Sequence, residues 1–114
     1  MPFMTNISKY DVVVVKFPFA SSLKYKARPA LVISSEIYNE NERGTLLILA
    51  ISSQTHMKLD FELHIEEWKD TGLLKPSIFK AAIATIEKDF IIAKLGTLSS
   101  TDIKNVDKLL KTMC

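Results

Sequence analysis

From residue 11 to residue 98, apolar residues come in short blocks, and polar, turn-like segments separate the blocks. The first block, DVVVVKF (11–17), is β-branched and stops at Pro18, which predicts a strand. FASSLKYKA (19–27) is polar and without period, and reads as a loop. PALVIS (29–34) is the second predicted strand. Proline lacks a backbone donor and is tolerated at strand starts and edges, so Pro29 is expected to begin this strand with Arg28 at its mouth. SEIYNENERG (35–44) reads as a loop containing one helical turn, and TLLILAIS (45–52) as a strand buried on both faces. The cleanest alternation lies in LDFELHI (59–65), where Leu59, Phe61, Leu63 and Ile65 interleave with Asp60, Glu62 and His64. Period two predicts a half-buried antiparallel strand there. EEWKDTG (66–72) is a charged connection, and PSIFKAAIATI (76–86) and FIIAKLGTL (90–98) predict the last two strands.

The period then changes. Ile103, Val106, Leu109, Leu110 and Met113 recur at three- and four-residue spacing, which predicts an amphipathic helix. Ser99 with Asp102 three positions on resembles a capping box with Asp in place of Glu or Gln. Asp102 also complements the positive end of the helix dipole. Six strands and one C-terminal helix in 114 residues predict a mainly β fold, a small closed or half-open barrel with a helix packed on it. No repeat, linker or low-complexity tract divides the chain, so residues 1–114 read as one domain.

Composition narrows the function only a little. The 15 basic and 13 acidic residues leave a net charge of +2, well short of a typical duplex-DNA binder, although a local patch matters more than the total. The basic residues are uneven in kind: every one is lysine except Arg28 and Arg43. The single cysteine, Cys114, permits no internal disulfide and reads as incidental, which fits a reducing compartment. Lys9 and Asp11 interrupt the N-terminal region before any apolar core, so no signal peptide is expected. The longest uncharged stretch, residues 44–57, is too short to span a bilayer, and a cytoplasmic protein without membrane contact is expected.

Candidate chemistry is sparse. His56 and His64 lack the spacing and the sulfur neighbours of a zinc site, so no metal and no cofactor are expected. Gly44, Gly72 and Gly96 are too scattered for a phosphate-binding loop, and no nucleophile elbow is present. What remains are polar residues at strand ends beside a basic loop. Arg28 stands at one strand, Ser52, Ser53 and Gln54 close another, and Lys24 and Lys26 flank Tyr25. A guanidinium holds phosphate bidentately, and an aromatic ring stacks an unpaired base. The same residues are equally at home as a surface ion-pair partner, strand-end hydroxyls and a packing tyrosine.

YDVVVVKFPF, KARPALVISSEIYN, LILAISSQ and KPSIFKAAIATIEKDFIIAKLGTLS, in that order and spacing, resemble the MazF/PemK/Kid toxins of bacterial type II toxin–antitoxin systems, a PemK-like branch in particular. The resemblance runs from about residue 8 to the end of the chain. It implies an SH3-like barrel with a C-terminal helix. It further implies a homodimeric, metal-independent endoribonuclease that cuts single-stranded RNA by 2′-hydroxyl attack, leaving a cyclic phosphate and a 5′-hydroxyl. A disordered acidic antitoxin tail is expected in the RNA groove. Carried over residue by residue, Arg28 matches the catalytic arginine and Ser52 the catalytic threonine, while Ser53, Gln54 and the basic Lys24, Lys26 and Lys80 would contact substrate. The match departs at the fifth strand: Ala82 and Ala84 stand where many members carry Gln and Arg, and Phe79 and Ala81 where some carry an additional arginine and acid. Three further readings stand beside the enzyme: a barrel that binds nucleic acid or antitoxin without cleaving, a nuclease or inhibitor aimed at DNA or a gyrase-type partner, and a structural or interaction role unconnected to nucleic acid.

Overall fold

A computed structural model of the chain describes residues 7–18, 25–55 and 60–114. Six strands form one sheet: β1 (Asp11–Pro18), β2 (Tyr25–Val32), β3 (Thr45–Ser52), β4 (Leu63–His64), β5 (Ile78–Glu87) and β6 (Ile91–Thr97). Their order is β4-β5-β3-β2-β1-β6, and every neighbouring pair is antiparallel. A short helix α1 (Glu36–Asn39) follows β2, and helix α2 (Ser100–Met113) ends the chain. The mainly β fold with one C-terminal amphipathic helix is therefore the arrangement expected.

The valine run of β1 is buried on both faces because two cores meet there. Val13 and Val15 join Ala30, Val32, Leu46, Ile48, Ile86 and Ile91 on one side. Val12 joins Leu31, Leu49, Ile51, Phe79 and Leu98 on the other, where α2 inserts the fully buried Val106. β3 is likewise buried on both faces, through Leu46, Ile48, Leu49 and Ile51. The sheet curls until its far edge meets the segment after β4. A Cβ on Gly72 would stand 2.5 Å from the Leu95 carbonyl oxygen, and one on Gly96 would stand 2.8 Å from the Thr71 oxygen. Gly72 also has a φ of 84°, so it is glycine for two reasons. Two glycines thus let β6 and the 3₁₀ turn Trp68–Thr71 approach backbone to backbone, and the barrel is half closed without a seventh strand pairing.

Three expectations need correction. Pro29 does not begin its strand: β2 starts at Tyr25, opposite Pro18, and Arg28 lies inside it opposite Val15. The ladder with β3 begins only at Ala30↔Ala50, so Pro29 lies just outside it, where a missing donor breaks no bond of that ladder. Residues 25–27 accordingly belong to the strand rather than to a loop, while 19–24 lie outside the described residues. The alternation of 59–65 does not make a strand of that length. Only Leu63 and His64 pair with β5, Phe61 takes a left-handed φ of 62° and is half exposed, and Glu62 turns inward. Glu62 keeps the face opposite Leu63 and Ile65 that alternation gives it, but that face is covered there and the carboxylate is buried.

Helix α2 is fixed at its N-terminal turn and at its middle. Its first turn is capped by the Ser99 hydroxyl, which accepts from the Asp102 amide at 3.2 Å. The fully buried Asp102 carboxylate accepts the Glu66 and Glu67 amides at 2.8 and 2.9 Å, tying the helix to the chain after β4. Further along, the Tyr10 hydroxyl donates to Asp107 at 2.7 Å. At the opposite side, Ser34 donates to Asn39 and accepts the Leu47 amide, which seats α1 against β3.

Candidate functional site

Side chains alternate across a pleated sheet, and the buried set identifies the face of each neighbour. Leu31, Leu49, Ile51 and Phe79 share the core beneath α2, with Leu63 packed against it. Arg28 has the strand parity of Ala30 and Val32, which belong to the other core. Ser52 follows Ile51, Lys80 follows Phe79 and Glu62 precedes Leu63, so all three also face away from α2. Lys26 shares the parity of Arg28. One face of the barrel therefore carries Lys26, Arg28, Ser52, Lys80 and Glu62.

Arg28 is exposed, and among the described residues it has no ion pair or hydrogen bond to occupy its fork. The β2–β3 ladder ends at Ala30↔Ala50, and Arg28 and Ser52 each lie two residues beyond that last pair, Arg28 opposite Val15 of β1 and Ser52 opposite Ile78 of β5. Ser52 is half-buried at the end of β3, and its Oγ accepts the Gln54 amide at 3.1 Å. That bond orients the hydroxyl and leaves its hydrogen for another acceptor. Ser53 and Gln54 are exposed beside it, and Lys26 is exposed on β2. Lys24 lies outside the described residues.

The departures noted on the fifth strand resolve into two kinds. Phe79 is fully buried in the core under α2, so that position is structural. Ala81, Ala82 and Ala84 are exposed, and Ala82 and Ala84 leave bare the same face that Lys80 occupies. Lys80 is itself held: its ammonium lies 3.2 Å from Glu62, whose side chain is only 5% exposed. Glu62 is the site residue that the sequence pattern conceals, since its alternation marks it as an outward polar position. His64 is exposed and His56 lies outside the described residues; among the described residues no three His, Cys, Asp or Glu side chains group as metal ligands.

Residues 8–114 match the profile of a family described as PemK-like, MazF-like toxin of type II toxin–antitoxin system. The chain belongs to this family. No curated protein matches it. Among solved structures, the toxin resembles an endoribonuclease in complex with its cognate antitoxin from a mycobacterial species, at a TM-score of 0.73 and 18% identity over 96% of this chain and 93% of that one. A second mycobacterial endoribonuclease gives a TM-score of 0.69 at 16% identity, covering 96% and 92%. The Mycobacterium tuberculosis toxin MazF-mt6 gives 0.71 at 16% identity, covering 90% and 93%. At such identities the likeness establishes the fold of the toxin, and its chemistry has to be argued from its own residues.

Proposed function

We propose that the toxin is a metal-independent endoribonuclease that cuts single-stranded RNA with the 2′-hydroxyl as internal nucleophile. The observation that carries this reading is the exposed Arg28, without an ion pair among the described residues, on the face whose strand parity it shares with Ser52, each two residues beyond the last β2–β3 pair. In the reaction, the 2′-oxygen attacks phosphorus and loses its proton to solvent, and the bond to the 5′-oxygen breaks as that oxygen takes up a proton from solvent. The products are a 2′,3′-cyclic phosphate and a 5′-hydroxyl. Charge accumulates on the non-bridging oxygens as the phosphorane forms, and a planar guanidinium meets two of them at once. Ser52 donates a hydrogen bond to the same phosphate and fixes it in the pocket, and Lys26, Ser53 and Gln54 steer the flanking strand. Lys24, just ahead of β2 in sequence, joins them.

Family membership and the antitoxin-bound structural neighbour support a cognate antitoxin as partner, an acidic tail that occupies the same basic face. They also support a homodimer acting in the cytoplasm. Among the described residues no helix is long and apolar enough to cross a membrane. Incubating the purified protein with a single-stranded RNA transcript in EDTA is expected to give discrete fragments with 5′-hydroxyl ends. Intact RNA with measurable binding would overturn the enzyme reading in favour of a barrel that only binds.

A further inference from the structure

Glu62 has no place in the sequence motif, yet it is a buried charge on the face that carries Arg28 and Ser52. A carboxylate taken out of water is costly unless it is paired and hydrogen-bonded. Here Lys80 supplies a pairing at 3.2 Å from a side chain that is 43% exposed, so one end of the pair is buried and the other reaches solvent. The register sets the two residues directly opposite: Leu63 faces Phe79 and His64 faces Ile78, so Glu62 faces Lys80. The backbone is bent for this arrangement, because Phe61 adopts a left-handed φ of 62° and leaves its own ring half exposed while Glu62 turns inward. An aromatic residue rarely adopts that conformation, and the strained turn is retained at the point that delivers the carboxylate.

Resting on the nuclease reading above, we infer that Glu62 is a positioning residue that fixes the Lys80 ammonium on the catalytic face. Lysine is a flexible point charge on four methylenes, and it aims poorly unless something holds it. The flanking Ala82 and Ala84 offer no polar atom to do so. Glu62 holds it from below, and the solvent side of the ammonium is presented to the developing phosphorane. Lys80 with Glu62 thereby provides a second cation on a strand whose other exposed positions on that face are alanine.

The test separates position from mere charge. Glu62→Gln keeps the shape and leaves Lys80 free to be hydrated, so it is expected to fold, with circular dichroism and melting close to wild type. The freed ammonium still attracts phosphate, so an uncleavable 2′-O-methyl oligonucleotide spanning a mapped cut site should bind within about twofold of wild type. The kcat on the transcript is expected to fall on the order of a hundredfold, as when a preorganised donor to a developing charge is lost. Glu62→Asp, which retracts the carboxylate by one methylene, should restore part of that loss. Unchanged kcat in Glu62→Gln overturns the inference, as does a loss of kcat matched by an equal loss of binding or of folded fraction. Should Glu62→Gln fail to fold, Glu62→Asp carries the same test, and wild-type kcat in it overturns the inference. A wild-type protein that cuts no RNA at all overturns instead the nuclease reading, whereas cleavage by both wild type and Glu62→Gln leaves that reading standing.

Discussion

An arginine that pairs with nothing on an exposed strand face is unusual in a chain with only one other arginine. Arg28 is neither anchoring a loop nor closing an ion pair, so its fork is available for a ligand. Replacing it by lysine keeps the charge and removes the two-pronged geometry. Because the side chain is exposed, Arg28→Lys should change folding stability by no more than about 0.5 kcal/mol. Cleavage of the transcript should nevertheless fall on the order of a hundredfold or more. Full activity in this variant, with the fold checked by circular dichroism, would mean that another cation does this work. At this scale the proposed site is only partly legible in the sequence. Arg28 and Ser52 stand out as polar residues beside apolar strands, whereas Glu62 does not, because its alternation marks it as an outward position and only the packing of the fold buries it.

Helix α2 was legible in its stripe and its cap, and the 59–65 segment was not, although its alternation is the cleaner pattern. A helix satisfies its own backbone, so a local pattern is enough to define it. A strand needs a partner edge, and among the described residues the outer edge of β5 is used only at Ile78 and Phe79. The Pro29 error has the same origin: the chain before the proline is polar, and only the neighbouring β1 turns Tyr25–Ala27 into strand. The attachment of α2 to the barrel also depends on partners distant in sequence, and Tyr10 makes it testable. Its hydroxyl donates to Asp107, and that bond first, then burial, then the charge of Asp107, push its pKa from 10.0 up to about 12. A folded-state pKa raised above the unfolded value means the fold holds the proton more tightly. The associated stability is therefore complete below pH 10.0 and is lost as pH rises towards about 12. Tyr10→Phe should remove the late-rising tyrosinate absorbance and flatten the fall of the melting temperature across that window. An unaltered alkaline profile would show that the hydrogen bond contributes nothing to it.

Taken whole, the barrel has two open regions. One is the face of Arg28 and Ser52. The other lies where β5 runs past β4: residues 81–85 are exposed, and among the described residues no strand pairs their outer edge. Ile83 is 45% exposed there, at the rim of an open groove of about 600 Å³ lined by Ile33, Leu47, Leu110, Lys111 and Cys114. An unpaired apolar edge beside an apolar groove invites association and is normally covered or blunted by charge or proline. The alanines at 81, 82 and 84 do neither, and they suit close approach of another surface. A homodimer formed through this groove would supply such a cover, with a second copy of the chain seated on it. The groove is on the α2 side, as Ile33, Leu47 and Leu110 show, so pairing through it leaves the Arg28 face free for RNA. Ile83→Lys would bury a lysine charge in that contact while sitting harmlessly on an isolated barrel. The expected result is a dimer dissociation constant raised by at least about tenfold, equivalent to roughly 1.4 kcal/mol, with the monomer still folded. Sedimentation velocity across a dilution series measures it. A variant that dimerises as tightly as wild type would move the interface elsewhere, and one that becomes monomeric and loses cleavage together would tie the nuclease site to the pair.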